Sequence, residues 1–394
     1  MKFGFMRPEV KMEGIMDKIR MGIVGFGNMG KNHARMILRG ETPEIELAAI
    51  ADHREVARVA ASEIVPDSVK IFSSAEEMFE SGCVDAVLIA TQHIDHPRLT
   101  VEALEAGLHV LCEKPAGVYT KQVREMNEFA AAKKDLVFAM MFNQRTNHVY
   151  RKMHELVHSG KYGEIKRVNW IITDWYRTQA YYDSGAWRAT WRYEGGGVLL
   201  NQCPHNLDLL QWICGMPCSV RAFCHEGKWH HIEVEDDVTA YFEYPNGATG
   251  VFITSTGDLP GTNRLEVSME GAQLRTDGNT LEIFELSENE RETCFNNPEG
   301  FYRPAGEWKT VETDGENPQH KGVLNAFAGR ILHGTPLVAE GWEGINGLLI
   351  SNAMHLSSWT GQEVRFPFDE SLYEAELKRK AEKSKKLAEM ENPQ

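Results

Sequence analysis

Gly25-Phe26-Gly27-Asn28-Met29-Gly30 forms a GxGxxG run between an apolar stretch and a helical one, the setting in which such a run cradles phosphate. Glycines there permit a tight turn and let the backbone close on a pyrophosphate, whose charge is met by the N-terminus of the following helix. Asp52 ends the next apolar stretch, where a carboxylate accepts hydrogen bonds from ribose hydroxyls and repels a 2′-phosphate. Together they predict a dinucleotide site selective for NAD over NADP, with Arg54 beside it as a residue that could instead serve a phosphate. A second cluster, Cys214, Cys218 and Cys224 followed by His225, His230 and His231, has the donors for a metal but not the CxxC spacing. Cys214 falls in an apolar helical run, so buried thiols are expected and no metal site.

Such a loop needs a parallel sheet to hold it. From Met21 short apolar runs alternate with amphipathic ones: MGIVGFG then NMGKNHARMIL, ELAAIAD then REVARVAASEI, VDAVLIAT then HPRLTVEALEAG, HVLCEKP then TKQVREMNEFAAAKK, and finally LVFAMMF. That rhythm is the mark of βαβ units and predicts a doubly wound sheet of about six strands, complete near residue 145. The rhythm then changes to strand-like runs separated by turn signals at Asn246-Gly247, Glu270-Gly271 and Asp277-Gly278, which predict consecutive hairpins in an antiparallel sheet. The expected division is an N-terminal extension (1–20), a Rossmann α/β domain (21–143), an α+β domain with a large, mostly antiparallel open sheet (144–368), and a charged helical tail (369–394). Within the second domain, residues 287–320 read as a long loop, and a helix near 341–361 is expected to pack back on the Rossmann domain.

Composition removes several partners. A formal charge of -15 argues against a grip on nucleic acid, and no apolar run approaches the roughly 20 residues that a membrane helix needs. Residues 1–20 lack the apolar core and cleavage site of a secretory signal. Seven unevenly spaced cysteines form no disulfide framework, which fits a reducing, cytoplasmic setting.

Leu111-Cys112-Glu113-Lys114-Pro115, preceded by Thr91-Gln92-His93-Ile94-Asp95-His96, resembles the EKP signature of the Gfo/Idh/MocA oxidoreductases. The likeness continues through Gly195-Gly196-Gly197-Val198-Leu199-Leu200-Asn201-Gln202-Cys203-Pro204-His205-Asn206-Leu207-Asp208, where the family has a Gly-rich lead-in and an Asp-x-x-x-His pair, and it extends from residue 21 to about 366. The resemblance implies hydride transfer between a sugar carbon and nicotinamide, with Lys114 and His205 at the reacting centre. A histidine suits removal of the hydroxyl proton, and an ammonium stabilises the developing alkoxide. Asn201 stands where many relatives have aspartate, and its amide can orient a neighbour but cannot pair with a cation. Asn201, His205 and Asp208 are spaced to share one helical face, provided Pro204 falls in the first turn; Asp208 reads as structural. For the cofactor the resemblance implies the glycine loop, Asp52, His53, Thr91, Gln92, His93, His96, Glu113, Lys114 and Asn143, with Trp187 and Arg188 at the nicotinamide end. For the substrate it implies Lys114, Asn201 and His205 with Tyr176, Arg177, Tyr182 and Trp191, whose rings suit the apolar face of a sugar.

The run DWYRTQAYYDSGAWRATW and the NQCPHNLDLLQW stretch are similar to the branch of the family that oxidises the 3-hydroxyl of glucosides. An inositol or free-sugar dehydrogenase is the alternative enzyme, and an NAD-binding sensor without turnover the alternative class. The resemblance further implies a carbohydrate or glycoside as small-molecule partner and a dimer-based homo-oligomer. Tightly held NAD would make the enzyme dependent on an oxidised sugar as second substrate.

Overall fold

The structure, a computed structural model, describes residues 18–384. Most of the expected N-terminal extension, and the tail beyond 384, lie outside the described residues. Six parallel strands, β1 (Ile19–Val24), β2 (Ile45–Ala51), β3 (Lys70–Phe72), β4 (Ala86–Ile89), β5 (His109–Cys112) and β6 (Phe138–Met140), form one sheet in the order β3-β2-β1-β4-β5-β6. Between them run α1 (Asn28–Leu38), α2 (Glu55–Ser62), α3 (Ala75–Glu80), α4 (His96–Glu105) and α5 (Thr120–Ala132). Every residue of β4 is buried, which is why its sequence is a continuous apolar run rather than an alternation. The first strand begins at Ile19, two positions before the sequence pattern suggested. At three residues, β3 is too short to carry a pattern, and it escaped the sequence reading.

After α6 (His148–His158) the chain builds a second, nine-stranded sheet from β7 (Ile165–Ile172), β8 (Ser219–Glu226), β9 (Glu235–Glu243), β10 (Thr249–Ser255), β11 (Asn263–Met269), β12 (Ala272–Thr276), β13 (Leu281–Leu286), β14 (Gly306–Thr310) and β15 (Val364–Arg365). Its order is β14-β13-β12-β11-β7-β10-β9-β8-β15, antiparallel except where β7 pairs with β10. Strand β7 therefore separates β10 from β11, and the chain of consecutive hairpins read from the turn signals is broken there. The expected loop at 287–320 also needs correction, since it contains α9 (Glu290–Asn296) and β14. As an edge strand exposed along its whole length, β14 has no buried face to write an alternation into its sequence.

Short α7 (Gln179–Asp183), then α8 (Pro204–Cys214), α10 (Gln319–His333), α11 (Gly344–Thr360) and α12 (Glu370–Glu382) complete the fold. Helix α10 lies in the second half of the sequence but packs on the first sheet: Val323, Leu324, Phe327 and Ala328 share an apolar cluster with Ile19, Met21, Ile23 and Leu111. Helix α11 is buried along most of its length and reaches the first domain through Asn352, which accepts the Thr120 amide at 3.1 Å and donates to the Val118 carbonyl at 3.3 Å. Buried Arg145, just after β6, clamps Asp208 of α8 through both guanidinium edges at 2.8 and 2.6 Å and Glu343 at 2.6 Å. No helix among the described residues is long and apolar enough to cross a membrane.

Candidate active site

A cavity of about 1120 Å³ opens at the carboxyl ends of β1, β2, β4 and β5. Ordinary small-molecule pockets hold roughly 300–1,000 Å³, so the crevice has room for a dinucleotide and part of a second molecule.

The glycine loop forms its first wall. Gly25 adopts φ +91°, and a Cβ there would lie 2.7 Å from the Ala90 carbonyl oxygen. A Cβ on Gly30 would fall 2.0 Å from the Gly25 carbonyl, whereas Gly27 faces open space. Gly27 is the N-cap of α1 and offers no side-chain acceptor, so the first amides of the helix are left for an anion, as a pyrophosphate requires. Asp52 accepts the Phe26 amide at 2.8 Å and the Arg54 amide at 2.9 Å, and the Arg54 guanidinium closes on both its oxygens at 3.0 and 2.8 Å. Burial would raise the Asp52 pKa, but these bonds and the Arg54 charge outweigh it and hold it below the usual carboxylate range. Arg54, which the sequence left as a possible partner for phosphate, is here the partner of Asp52. Asn28, Met29, His53, Thr91 and Gln92 line the same cavity, so the residues fit an NAD molecule.

The Glu113-Lys114-Pro115 turn follows β5 directly. Glu113 meets His33 Nε2 of α1 at 2.7 Å and also accepts the Lys114 amide. Burial pushes the Glu113 carboxyl up, but the His33 bond and the charges of His33, His320 and Lys114 win and keep it ionised. His96 Nδ1 donates to the Pro115 carbonyl at 2.7 Å, with Nε2 3.2 Å from the Thr91 carbonyl, and so ties the loop after β4 to this turn. The Lys114 ammonium donates to the backbone carbonyl of Asn201 at 3.1 Å, joining the two domains inside the cavity. Burial lowers the Lys114 pKa, against the pull of Glu113 and Glu194. His205 stands at the start of α8 with Pro204 in the first turn, where its missing N–H costs nothing. The His205 pKa is lowered to about 3 by burial and by Lys114, so the ring is neutral, and its Nδ1 has no hydrogen-bond partner among the described residues.

From the second domain Trp187 and Arg188 line the cavity. The Arg188 guanidinium sits 4.5 Å from the Trp187 ring and 4.6 Å from the Tyr181 ring and donates to the Tyr181 hydroxyl at 2.9 Å. The Trp187 ring meets His93 edge-on at 6.4 Å. Several other expectations need correction. Asn201 precedes α8 in a turn rather than sharing a helical face with His205 and Asp208, because Pro204 can open a helix but not sit inside one. Its amide is turned to Glu194, and only its backbone carbonyl touches Lys114. Trp191 is core, with Nε1 bonded to the Glu233 carbonyl at 2.7 Å and its ring edge-on to His355 and Trp359. Tyr182 is likewise buried, bonded to Thr256 at 2.8 Å and packed on His230. Both meet the second domain's apolar interior, which recruited them. Tyr176 is exposed, and Arg177 spends its guanidinium on the carbonyls of Trp175 and Tyr176 beneath the Tyr181 ring. Phe26 and Gly30 shape the loop without lining the cavity, His205 stands behind Asn201 rather than in the cavity lining, and buried Asn143 gives its amide to Gln319. Sequence reasoning missed three residues. Tyr181 could not be told from its aromatic neighbours. Glu194 directly precedes the glycine triplet and was passed over. His320 reaches the His33–Glu113 pair from α10, edge-on to His33 at 5.5 Å, and nothing local announces it. No cluster of three or more metal-binding side chains exists among the described residues.

Comparison with known proteins places this geometry. Residues 19–141 match the oxidoreductase family with an NAD-binding Rossmann fold, and residues 150–275 match the GFO/IDH/MocA C-terminal domain. The rhizopine catabolism protein MocA of Rhizobium meliloti is 28% identical over 51% of this chain and 58% of its own length, so the chain spans little more than half of that relative. The trans-1,2-dihydrobenzene-1,2-diol dehydrogenase of Mus musculus is 30% identical over 65% of this chain and 74% of its own. The WlbA dehydrogenase from Bordetella pertussis, solved in complex with NADH and UDP-GlcNAcA, superposes with a TM-score of 0.74 at 26% identity over 89% of this chain and all of that one. Likeness that runs through both domains in the same order is more than a shared dinucleotide fold would produce, and the chain belongs to the Gfo/Idh/MocA oxidoreductases, with an NAD-binding Rossmann domain over residues 19–141.

Proposed function

We propose that the protein is an NAD-dependent dehydrogenase that oxidises a secondary hydroxyl, that at C3, of a glucoside or related pyranose. The observation that carries this reading is the Lys114–Asn201 hydrogen bond of 3.1 Å, which puts the lysine at the end of β5 and the residues leading into α8 in one cavity with the dinucleotide cradle. Bound NAD supplies the hydride acceptor. Lys114 holds positive charge at the substrate oxygen, and neutral His205, with an unpartnered ring nitrogen, takes the hydroxyl proton. The carbon loses a hydride, its oxygen loses a proton, and a ketone remains. Trp187 and Tyr181 supply ring faces for the apolar side of a sugar, and Arg188 between them supplies donors for its hydroxyls. The test is NAD reduction by a methyl glucoside deuterated at C3, beside inositol and free glucose. Deuterium on the cofactor is the expected result. Reduction by inositol or free glucose alone overturns the glucoside reading, and a cofactor that no polyol reduces makes the protein a sensor.

The second sheet also favours a dimer-based homo-oligomer. Its register places Ile171, Phe223, Tyr241 and Trp308 on one face, all exposed, opposite the face buried by the helices. Light scattering that returned a monomer at micromolar concentration would sink this assembly. The seven thiols, none in a disulfide, suit a reducing, cytoplasmic compartment. Native mass spectrometry of the purified protein would show whether NAD stays bound between turnovers.

A further inference from the structure

Glu194 is a buried carboxylate, 2% exposed, that no direct ion pair neutralises among the described residues: one oxygen accepts the Ala189 amide at 2.5 Å and the other the Asn201 side-chain amide. Asn201 is thus held from two sides, by Glu194 through its amide and by Lys114 through its carbonyl. The charged and titratable groups facing Glu194 come from several elements. Arg188 and Lys114 attract its negative charge, Glu235 of β9 repels it, Tyr182 lies within its field, and His93 bonds its backbone.

We propose that Glu194 is a positioning residue for alcohol oxidation, whose buried negative charge, relayed through Asn201, keeps Lys114 an ammonium at the substrate oxygen. This rests on the function proposed above. Position 201 itself carries only a neutral amide, so the negative charge on this side of Lys114 has to come from the next side chain behind it. Ionisation of Glu194 then controls the site. Burial raises its pKa to about 7, against the Ala189 and Asn201 bonds and the Arg188 charge that pull it down. Above that pH the carboxylate supports the lysine. Below it Glu194 takes a proton, but the lysine then keeps its own, so the carboxylate matters on the alkaline side, where it delays the deprotonation of Lys114.

The decisive measurement needs no sugar. Reductive methylation with ¹³C-formaldehyde turns each lysine into an NMR-visible dimethylamine, and the Lys114 signal is identified by its absence in Lys114→Arg. In Glu194→Gln the Lys114 midpoint should fall by about one unit, tenfold in the protonation ratio. Adding Asn201→Asp to that variant returns a carboxylate to the pair, with the glutamine amide now the donor, and should restore the midpoint. If Glu194→Gln does not fold, Asn201→Asp in the parent chain must raise the midpoint instead. An unmoved Lys114 overturns the proposal. In turnover of methyl glucoside with NAD, Glu194→Gln should lose roughly 10- to 100-fold in kcat with KM little changed, and activity should begin to fall at a lower alkaline pH than in the parent. A shifted Lys114 in a protein that oxidises no sugar refutes the function above and leaves this coupling standing; oxidation with an unshifted Lys114 does the reverse.

Discussion

The two walls of the crevice are built on different principles. On the cofactor side each functional group sits where a parallel strand stops: Gly25 after β1, Asp52 after β2, Thr91 after β4, Glu113 and Lys114 after β5. On the substrate side the groups come from short α7, the irregular segment after it and the turn before α8, and neighbours such as Tyr181 and Tyr182 part company, one to the cavity and one to the core. Sheet topology fixes the first wall almost independently of side-chain packing, whereas tertiary packing decides the second residue by residue.

That contrast can be broken at its centre. Lys114→Ala and His205→Ala, one from each domain, should each cut turnover on the order of 10² to 10⁴-fold while leaving NAD affinity close to parental by fluorescence titration. Near-parental rates in both would remove the reacting centre from where the walls meet. Next in size, Trp191→Ala should cost about 3–5 kcal/mol of stability by denaturant melts, as a truncated core aromatic. Unchanged stability with weakened sugar binding would return Trp191 to the cleft. Glu194→Gln should do the opposite of damage at alkaline pH. A carboxyl raised by burial from 4.5 to about 7 destabilises the fold progressively as pH rises from the unfolded to the folded value and fully above it, so the variant should gain on the order of 2–3 kcal/mol at pH 8 and nothing at pH 4. A gain that ignored pH would mean that the carboxylate is not the source. The smallest effect is on the cofactor wall, where Asp52→Ala should weaken NAD binding by roughly 1–2 kcal/mol. Because it also frees the Arg54 guanidinium, NADP should gain relative to NAD in the same titration.

The same contrast explains what could be read in advance. The glycine loop, Asp52 and the Glu113-Lys114-Pro115 turn are local strings whose meaning depends on one strand and one helix, and the sequence shows both. Trp191 and Tyr182 belong to an aromatic-rich segment in which core and cleft residues have the same composition, so composition could not sort them. Glu194 acts through Asn201 and Lys114, which meet only once both domains are folded. Strand β14 has no buried face, and β3 has no length, so neither leaves a periodic trace.

The packing of α10 on the first sheet bears on how the chain is made. During synthesis the Rossmann strands leave the ribosome long before Val323, Leu324 and Phe327, which cover the apolar surface around Ile19, Met21 and Ile23. Until those residues arrive, that surface is open to water and to other nascent chains. The cofactor domain is continuous in the sequence matches but incomplete as a folding unit, and a fragment ending at residue 143 should be prone to aggregation where the full chain is not.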